Sequence, residues 1–211
     1  MEITFRTTFQ AEYRIVEELT REAFWDIYTP KSDEHYLVHI IRQSKDYIPE
    51  LDIVAELNGE IIGHIIYTPS AVVASDGTVF PTVTFGPVSI KPKFQNKGFG
   101  SALIRYSLEH ARKLGHKAVI IFGDPKYYER FGFYNCKEKS ITDSEGRFPY
   151  PMVVLELLEN ALEGISGKFK DSAVFNIDPD EVEAFDKSFP PRESHRTPSQ
   201  DLFEENIKKF L

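Results

Sequence analysis

Residues 88–101 read VSIKPKFQNKGFGS, in which a strand-like segment, a loop and the beginning of an amphipathic helix follow one another. The loop, residues 95–100, lies at the predicted start of the helix, where backbone N–H groups have no partner within the helix and the helix dipole adds positive partial charge. Gly98 and Gly100 carry no Cβ, so a bulky anion can approach the backbone closely. We therefore predict that this loop binds a pyrophosphate group, with Lys97 as an additional charge.

The two most familiar nucleotide-binding motifs are absent from this loop. A G-x-G-x-x-G motif needs a glycine at position 103, which is Leu103, and the Gly-Lys-Ser/Thr of a P-loop does not occur in the sequence. A lone G-x-G is a weak signal, since the start of an ordinary helix explains it equally well. The function of the loop must therefore be argued from the sequence on either side of it.

On the N-terminal side, the sequence predicts helices and antiparallel strands. Asn58-Gly59 and Asp76-Gly77 are turn sequences that each indicate a hairpin. Gly86-Pro87 interrupts the strand before the loop, and because proline has no N–H to give to a neighbouring strand, we expect a bulge or a splay there. The predicted elements are strands at 3–6, 51–57, 60–67, 71–75, from 78 onward and at 83–90, and helices at 15–24 and 33–44.

On the C-terminal side, an amphipathic helix follows the loop and ends near Gly115. A short apolar run at 118–122 has the character of a buried strand, and a short helix carries Tyr127 and Tyr128. A further strand is predicted at 152–158.

The composition changes beyond about residue 159. We predict a strand at 173–177, a helix at 179–187 and a final helix at 201–211 with Ser199 as its N-cap. We therefore expect one domain over residues 1–158 and an extension, residues 159–211, that packs on it.

The composition also limits the class of protein. The chain has 211 residues and a net charge of -8, which makes nucleic acid and anionic membranes poor default partners. Cys136 is the only cysteine, so no intrachain disulfide can form. The N-terminal residues do not resemble a secretory signal, and no apolar run reaches the length of a membrane span. We expect a cytoplasmic protein.

The wider pattern is much more specific than the glycines alone. Residues 88–100 (VSI-x-P-x-x-Q-x-x-G-x-G), the following helix and strand, and residues 123–133 (GDPKYYERFGF) together resemble the GNAT superfamily of acetyl-CoA-dependent N-acetyltransferases. The last segment is similar to one found in a bacterial branch. The resemblance implies a mixed α/β fold (α+β), with a splayed central sheet, helices on both faces and the cofactor in the splay. It also implies direct transfer of an acetyl group from acetyl-CoA, as cosubstrate, to a primary amine.

The resemblance further implies roles for individual residues. Tyr128 would protonate the departing CoA thiolate, although a tyrosine that only packs is the alternative. Many members carry an asparagine seven residues before that tyrosine, where this chain has Ile121, and Asp124 is the candidate replacement. The cofactor-binding residues would be Val88, Ser89 and Ile90 on the strand, and Gln95, Asn96, Lys97, Gly98, Phe99, Gly100 and Ser101 in the loop.

The sequence does not identify a general base for the amine. Glu22, Asp26 and His35 belong to the region of the first two helices, which in this superfamily help to wall the acceptor site, and His64 lies within a strand. An ordinary structural role explains each of them, and a chain of water molecules is an alternative base. Cys136 has the character of a small buried hydrophobe. No metal is expected, because the six histidines show no ligand spacing.

Two other functions are compatible with the same sequence. One is a non-catalytic acyl-CoA-binding regulatory module, which would have no need of a placed acid at Tyr128. The other is a protein-interaction role in which the tail forms a homodimer surface. For an enzyme, the acidic charge favours basic acceptors such as a polyamine or a lysine, through the field alone.

Overall fold

A computed structural model describes residues 3–211 of the chain, which form one sheet of nine strands with helices around it. The strands are β1 (Ile3–Thr7), β2 (Asp52–Leu57), β3 (Glu60–Val73), β4 (Val79–Ile90), β5 (Ala118–Phe122), β6 (Tyr134–Asn135), β7 (Ile141–Thr142), β8 (Met152–Glu156) and β9 (Gly167–Lys170). The helices are α1 (Tyr13–Phe24), α2 (Glu34–Ile41), α3 (Phe99–Lys113), α4 (Pro125–Tyr128), α5 (Pro179–Asp186) and α6 (Pro198–Asn206).

The strands run in the order β1-β2-β3-β4-β5-β8-β6, and β9 pairs with both β3 and β7. Among the strands of residues 3–211, only β4 with β5 and β7 with β9 are parallel. The tight connection between β2 and β3 is made by Asn58 and Gly59, whose φ angles are 51° and 83°. Both values lie in the left-handed region that a type I′ turn requires, so the predicted hairpin is present.

The core lies on both faces of the sheet because alternate strand residues point in opposite directions. On β2, Ile53 and Ala55 pack in one cluster together with Leu103 and Ile104 of α3. Val54, between them, packs in another cluster with residues of α1 and α2. The predicted mixed α/β fold with helices on both faces of an open sheet is thus confirmed.

The structure differs from the sequence-based elements in several places, among them the strand β9, which was not predicted, and the three described next. β3 runs without a break through Pro69, where the sequence predicts a strand end, because Pro69 lies at an exposed position of the strand. Residues 173–177 contain a 3-10 turn (Ala173–Phe175) and no strand. Ser199 lies inside α6, and the N-cap is Thr197, which forms a capping box with Gln200.

The C-terminal residues are joined to the rest of the chain by sheet pairing and by side chains. β9 adds to the end of β3 opposite Ala71, Val72 and Val73. Arg21 on α1 pairs with Asp186 on α5, with 2.6 Å between Nε and Oδ1. These contacts hold the C-terminal residues against the helices that flank the open part of the sheet.

Candidate functional site

β4 and β5 diverge in the middle of the sheet. They are paired at one position only, Val83 with Val119. On its other edge β4 stays paired with β3 as far as Ile90. The cis peptide Gly86-Pro87 lies a few residues beyond the last β4–β5 pair. Among the described residues, no strand covers the β5-facing edge of β4 after that pair, so a gap opens in the sheet.

The first of two clefts in this gap, which we call the glycine cleft, lies between the end of β4 and the start of α3 and has a volume of about 490 Å³. Gly98 is the N-cap of α3 with φ at 85°, a left-handed value that favours glycine. The first turn of α3 contains no acidic residue, so its unpaired N–H groups and dipole present uncompensated positive charge. The cleft is lined by Val88, Ile90, Gln95, Asn96, Gly98, Gly100, Ser101, Tyr127 and Arg130.

Seven of the ten predicted cofactor-binding residues line the glycine cleft, and three do not. Ser89 is buried on the other face of β4, with its hydroxyl 3.2 Å from that of Thr20. Lys97 is turned onto its own loop, where Nζ donates to the carbonyl oxygen of Lys93 at 2.8 Å. Phe99 packs edge-on against Phe94. None of these three residues is part of the cleft lining.

Arg130 brings a cation into the glycine cleft that the sequence analysis did not assign. Its guanidinium lies over the ring of Tyr127, with 4.6 Å between Cζ and the ring centroid. A guanidinium stacked on an aromatic ring is held in place and still has donors for an anion. Arg130 belongs to the segment 123–133 that the sequence singles out. The direction of its side chain, however, depends on how the chain turns back toward α3 after α4.

The shape of the glycine cleft fits a phosphate-bearing ligand that approaches the backbone. A Cβ added at Gly100 would lie 3.5 Å from Ile90 Cγ1 and 3.8 Å from the Tyr127 hydroxyl, so it would occupy the space at the mouth of the helix. A Cβ at Gly98 would meet no protein atom within 4 Å. Open space over free N–H groups, with Arg130 at its side, is the arrangement that a pyrophosphate requires.

Tyr128 lies at the end of α4, in the gap between β4 and β5. Its ring packs against Phe85 and Phe133. Gly123 allows this approach, because a Cβ there would lie only 2.8 Å from Tyr128 Cδ2. Among residues 3–211, no group forms a hydrogen bond with the Tyr128 hydroxyl. Burial, with smaller effects of the neighbouring tyrosines, raises the pKa of Tyr128, so the hydroxyl keeps its proton well above neutral pH.

The second cleft, which we call the aromatic cleft, adjoins the first at Val88 and has a volume of about 220 Å³. Its walls come from α1, α2, the loop between them, β4 and β5, and they are mostly aromatic or aliphatic. The lining residues are Phe24, Tyr28, Glu34, Leu37, Phe85, Gly86, Pro87, Val88, Ile121, Phe122 and Tyr128. Tyr128 thus belongs to the aromatic cleft and Tyr127 to the glycine cleft.

Glu34, the first residue of α2, is a half-buried carboxylate in the aromatic cleft. Its Oε2 accepts hydrogen bonds from Ser32 Oγ at 2.9 Å and from the backbone N–H of Asp33 at 3.2 Å. Burial, together with the neighbouring charge of Asp33, raises the pKa of Glu34 to about 8. Glu34 cannot be recognised from the sequence as a cleft residue, because nothing in the sequence shows which side of α2 faces the gap.

The four residues that were considered as bases lie outside the aromatic cleft. Glu22 is exposed on α1. Asp26 is buried and accepts hydrogen bonds from the C-terminal segment. His35 lies against Asp186, with 3.2 Å between Nε2 and Oδ1. His64 is buried in the sheet, with its Nε2 2.8 Å from Asp52 Oδ1.

Two further groups from the sequence, Asp124 and Cys136, do not line either cleft. The Asp124 carboxylate caps α4 by accepting the backbone N–H of Lys126 at 3.1 Å. Cys136 is buried in an apolar cluster, and burial raises the pKa of its thiol above the usual range.

No group of three or more histidine, cysteine, aspartate or glutamate side chains that could hold a metal ion occurs within residues 3–211. In the same part of the chain, no helix combines the length and the apolar character needed to cross a bilayer.

Comparison with known proteins finds a matching family profile and similar proteins that are named N-acetyltransferases. The profile of the Acetyltransferase (GNAT) family matches residues 15–133. The uncharacterized N-acetyltransferase YjhQ of Escherichia coli strain K12 is 28% identical over 149 residues, which cover 71% of this chain and 77% of YjhQ.

Two solved structures share the fold. The GNAT family N-acetyltransferase YhbS of Escherichia coli, crystallised in complex with CoA, superposes with a TM-score of 0.73 at 24% identity, covering 84% of this chain and 93% of YhbS. A GNAT family acetyltransferase of Brucella melitensis, crystallised with acetyl-CoA, superposes with a TM-score of 0.67 at 25% identity, covering 82% of this chain and 98% of that protein.

Proposed function

This chain belongs to the acetyltransferase (GNAT) family, and on that premise we propose that it transfers the acetyl group of acetyl-CoA to a primary amine in the gap between β4 and β5. The observation that carries the proposal is the meeting of two unlike clefts at Val88. One cleft suits a pyrophosphate, and the other is a mostly apolar cleft that is lined in part by the protonated Tyr128. Acetyl-CoA in the crystal of the Brucella melitensis relative supports the same ligand for this chain.

The glycine cleft would hold the cosubstrate, which supplies an activated acetyl thioester. The free N–H groups at the start of α3 and the guanidinium of Arg130 would bind the pyrophosphate. The uncovered edge of β4 at Val88, Ser89 and Ile90 would pair with the amide groups of the pantetheine arm, as an added strand does. Gln95 supports this edge, since its Nε2 donates to the Ile90 carbonyl oxygen at 3.0 Å.

Tyr128 would act as the general acid. Its hydroxyl is protonated at neutral pH and free of intramolecular partners among the described residues, so it can donate a proton to the sulfur of the leaving thiolate. Its position in the aromatic cleft, next to the meeting point at Val88, supports this role.

We also propose that residues 1–158 form the catalytic domain, with residues 159–211 as an extension packed on it, and that the protein is cytoplasmic. The strand pairing of β9 with β3 and the Arg21–Asp186 ion pair support the packing of the extension. A single, buried cysteine suits a reducing compartment.

A calorimetric titration with acetyl-CoA tests the proposal. The wild type is compared with Gly100→Glu and Gly100→Gln, which add side chains of nearly equal size to the mouth of α3. We expect the wild type to bind, Gly100→Gln to bind more weakly because of its bulk, and Gly100→Glu to lose binding because its carboxylate also repels the pyrophosphate.

Absence of binding in the wild type would contradict the proposal. Equal affinity of the glutamate and glutamine variants would show that no anion lies at the start of α3. Binding without acetyl transfer to any amine, and unaffected by Tyr128→Phe, would instead favour a non-catalytic acyl-CoA sensor.

A further inference from the structure

The lining of the aromatic cleft includes one carboxylate and no basic side chain. Of its eleven lining residues, Glu34 is the only aspartate, glutamate, lysine, arginine or histidine. The titratable groups around it are Asp33 in the preceding position and, from the facing elements, Tyr28 and Tyr128. No cation of the cleft lining neutralises the carboxylate, so a charged partner for Glu34 has to come from a bound molecule.

The carboxylate of Glu34 is held at one oxygen and free at the other. Both of its hydrogen bonds, from Ser32 Oγ and from the N–H of Asp33, end on Oε2. Within residues 3–211, Oε1 has no hydrogen-bond partner. A carboxylate fixed through one oxygen is oriented, while the second oxygen remains able to accept a proton.

The size and lining of the aromatic cleft limit what can enter. An apolar cavity of about 150 Å³ holds benzene, and the aromatic cleft has a volume of about 220 Å³. Phe24, Phe85 and Ile121 form part of an apolar wall that would leave additional polar groups of a ligand without partners. The cleft is open to solvent, so its lining selects more strongly than its volume. This lining favours a ring or a branched alkyl group with a short amino arm over a polyamine or a peptide, whose further polar groups would lack partners there.

We propose that Glu34 is the general base of the transfer and that the acceptor is a small primary amine with an apolar or aromatic substituent. This inference rests on the proposed acetyltransferase function. The acceptor enters as an ammonium ion, and its cation pairs with the Glu34 carboxylate. Glu34 takes one proton, which frees the nitrogen lone pair.

The nitrogen then forms a bond to the acetyl carbonyl carbon, and the carbon–sulfur bond breaks with its electron pair going to sulfur. The thiolate takes the proton of Tyr128, and the amide nitrogen loses its second proton, which returns Tyr128 to its neutral form through solvent. The balance is one ammonium ion and one thioester converted to one amide, one thiol and one proton, which leaves through Glu34.

The environment of Glu34 suits this role. A general base works best when its pKa lies near the working pH, and burial raises the pKa of Glu34 to about 8. The raised pKa also has a cost for the folded protein. Between the ordinary value of 4.5 and about 8, the folded chain keeps a proton that the unfolded chain has lost, so stability falls as the pH rises through that interval. A glutamine at position 34 removes this loss.

The test uses full-length wild type, Glu34→Gln and, as a matched control, Glu22→Gln, an exposed glutamate on α1. Acetyl transfer is measured from pH 6 to 9.5 with benzylamine, 2-phenylethylamine and isoamylamine, and with spermidine and Nα-acetyl-lysine for comparison. Affinity for acetyl-CoA and thermal unfolding are measured on the same samples.

We expect the wild type to prefer the apolar amines and its kcat/KM to rise with pH toward a plateau above about 8. Glu34→Gln should lower kcat/KM by about 100-fold or more and abolish that rise, with unchanged affinity for acetyl-CoA. Its unfolding temperature should equal the wild-type value at pH 5 and exceed it at pH 9. Glu22→Gln should match the wild type in every measurement.

Each contrary result would overturn a different part of the proposal. Activity of Glu34→Gln within threefold of wild type, or an unchanged pH profile, would overturn the role of Glu34. A Glu34→Gln protein less stable than wild type at pH 9 would make Glu34 a structural residue. Acetylation of spermidine or the lysine derivative in preference to the apolar amines would overturn the acceptor class while leaving the acetyltransferase function in place. Failure of the wild type to bind acetyl-CoA would refute that function itself.

Discussion

The carboxylate of Asp26, in the loop after α1, accepts the backbone N–H of His195 at 2.8 Å. The two residues are 169 positions apart, so the bond ties the C-terminal segment to the loop that leads into the aromatic cleft. Ser194 donates to the same carboxylate, and the indole Nε1 of Trp25 donates to the carbonyl oxygen of Glu193 at 2.9 Å. The C-terminal segment therefore holds the loop that carries Tyr28 and leads to Glu34.

Replacing Asp26 by Asn should loosen this loop without disturbing the glycine cleft. Asparagine keeps the left-handed backbone that Asp26 adopts at φ 60°, but loses the charge and one of the acceptors. We expect a loss of about 1–3 kcal/mol in the free energy of unfolding, a higher KM for the amine and an unchanged Kd for acetyl-CoA. Denaturant unfolding, steady-state kinetics and calorimetry measure the three quantities.

Arg196→Gln is the matched control, because Arg196 belongs to the same segment but forms exposed ion pairs with Asp201 and Glu204. Such pairs contribute about 0–1 kcal/mol. Equal effects of Asp26→Asn and Arg196→Gln would show that the hydrogen bonds to Asp26 do not hold the loop.

Replacing Tyr128 by Phe should slow catalysis while leaving cosubstrate affinity intact. The ring packing against Phe85 and Phe133 is preserved, and only the proton donor is lost. We expect kcat to fall about 100-fold, as measured by release of free thiol. Tyr134→Phe removes a hydroxyl that donates to Glu156 outside both clefts and should leave kcat unchanged. A normal rate in Tyr128→Phe would assign the tyrosine to packing.

Replacing Gly123 by Ala should displace the Tyr128 ring. The new methyl group would lie 2.8 Å from Tyr128 Cδ2, which is too close for two carbon atoms. We expect a loss of about 1–3 kcal/mol in stability from overpacking and a lower kcat, measured by unfolding and by kinetics. In a Tyr128→Ala background the same change has no ring to displace and should cost little, so a double-mutant cycle isolates the contact. Additive effects would show that the two residues do not interact.

His35 should make the protein sensitive to mild acid. Burial lowers the pKa of His35 to about 4 against the opposing effect of Asp186, whereas an unfolded histidine titrates near pH 6.5. Between these values the unfolded chain binds a proton at His35 that the folded chain does not, so the contribution of His35 to the free energy of unfolding falls as the pH falls from 6.5 toward 4. Over the same interval the contribution of Glu34 has the opposite sign.

His35→Phe keeps an aromatic ring between Phe185 and Phe189 and removes the contribution of His35. In denaturant unfolding from pH 7 to 4.5, the free energy of unfolding of the variant should therefore rise relative to that of the wild type as the pH falls. His195→Gln, at an exposed position, should leave the slope as it is in the wild type. An unchanged slope in His35→Phe would place the acid sensitivity elsewhere.

Much of the fold could be predicted because its signals are local. The Asn58-Gly59 turn is recognised from the backbone preferences of these two residues alone. The helix α3 is recognised from the periodic spacing of its own apolar residues. The Gly86-Pro87 interruption correctly indicated where the sheet opens. Strand alternation would also have shown that the Ser89 side chain faces away from those of Val88 and Ile90.

The rest depends on contacts between distant residues. The sequence predicts that this strand ends at Tyr67, but Pro69 lies at an exposed position and β3 continues to Val73. β9 was missed because Gly167–Lys170 is a strand only by pairing with β3 and β7. In each case the deciding interaction joins parts of the chain that are far apart in sequence.

The sequence by itself determined the family pattern, the glycine-containing loop before α3 and the location of the gap in the sheet, because these rest on short-range backbone preferences. Only the tertiary structure decided that Arg130 enters the glycine cleft and that Glu34, and not Glu22, Asp26 or His35, lies in the aromatic cleft. The physical reason is that the direction of a side chain is set by what its helix packs against. Here the C-terminal residues and the opened sheet together set the directions of these side chains. The positions of both depend on residues that are distant from Glu34 in sequence.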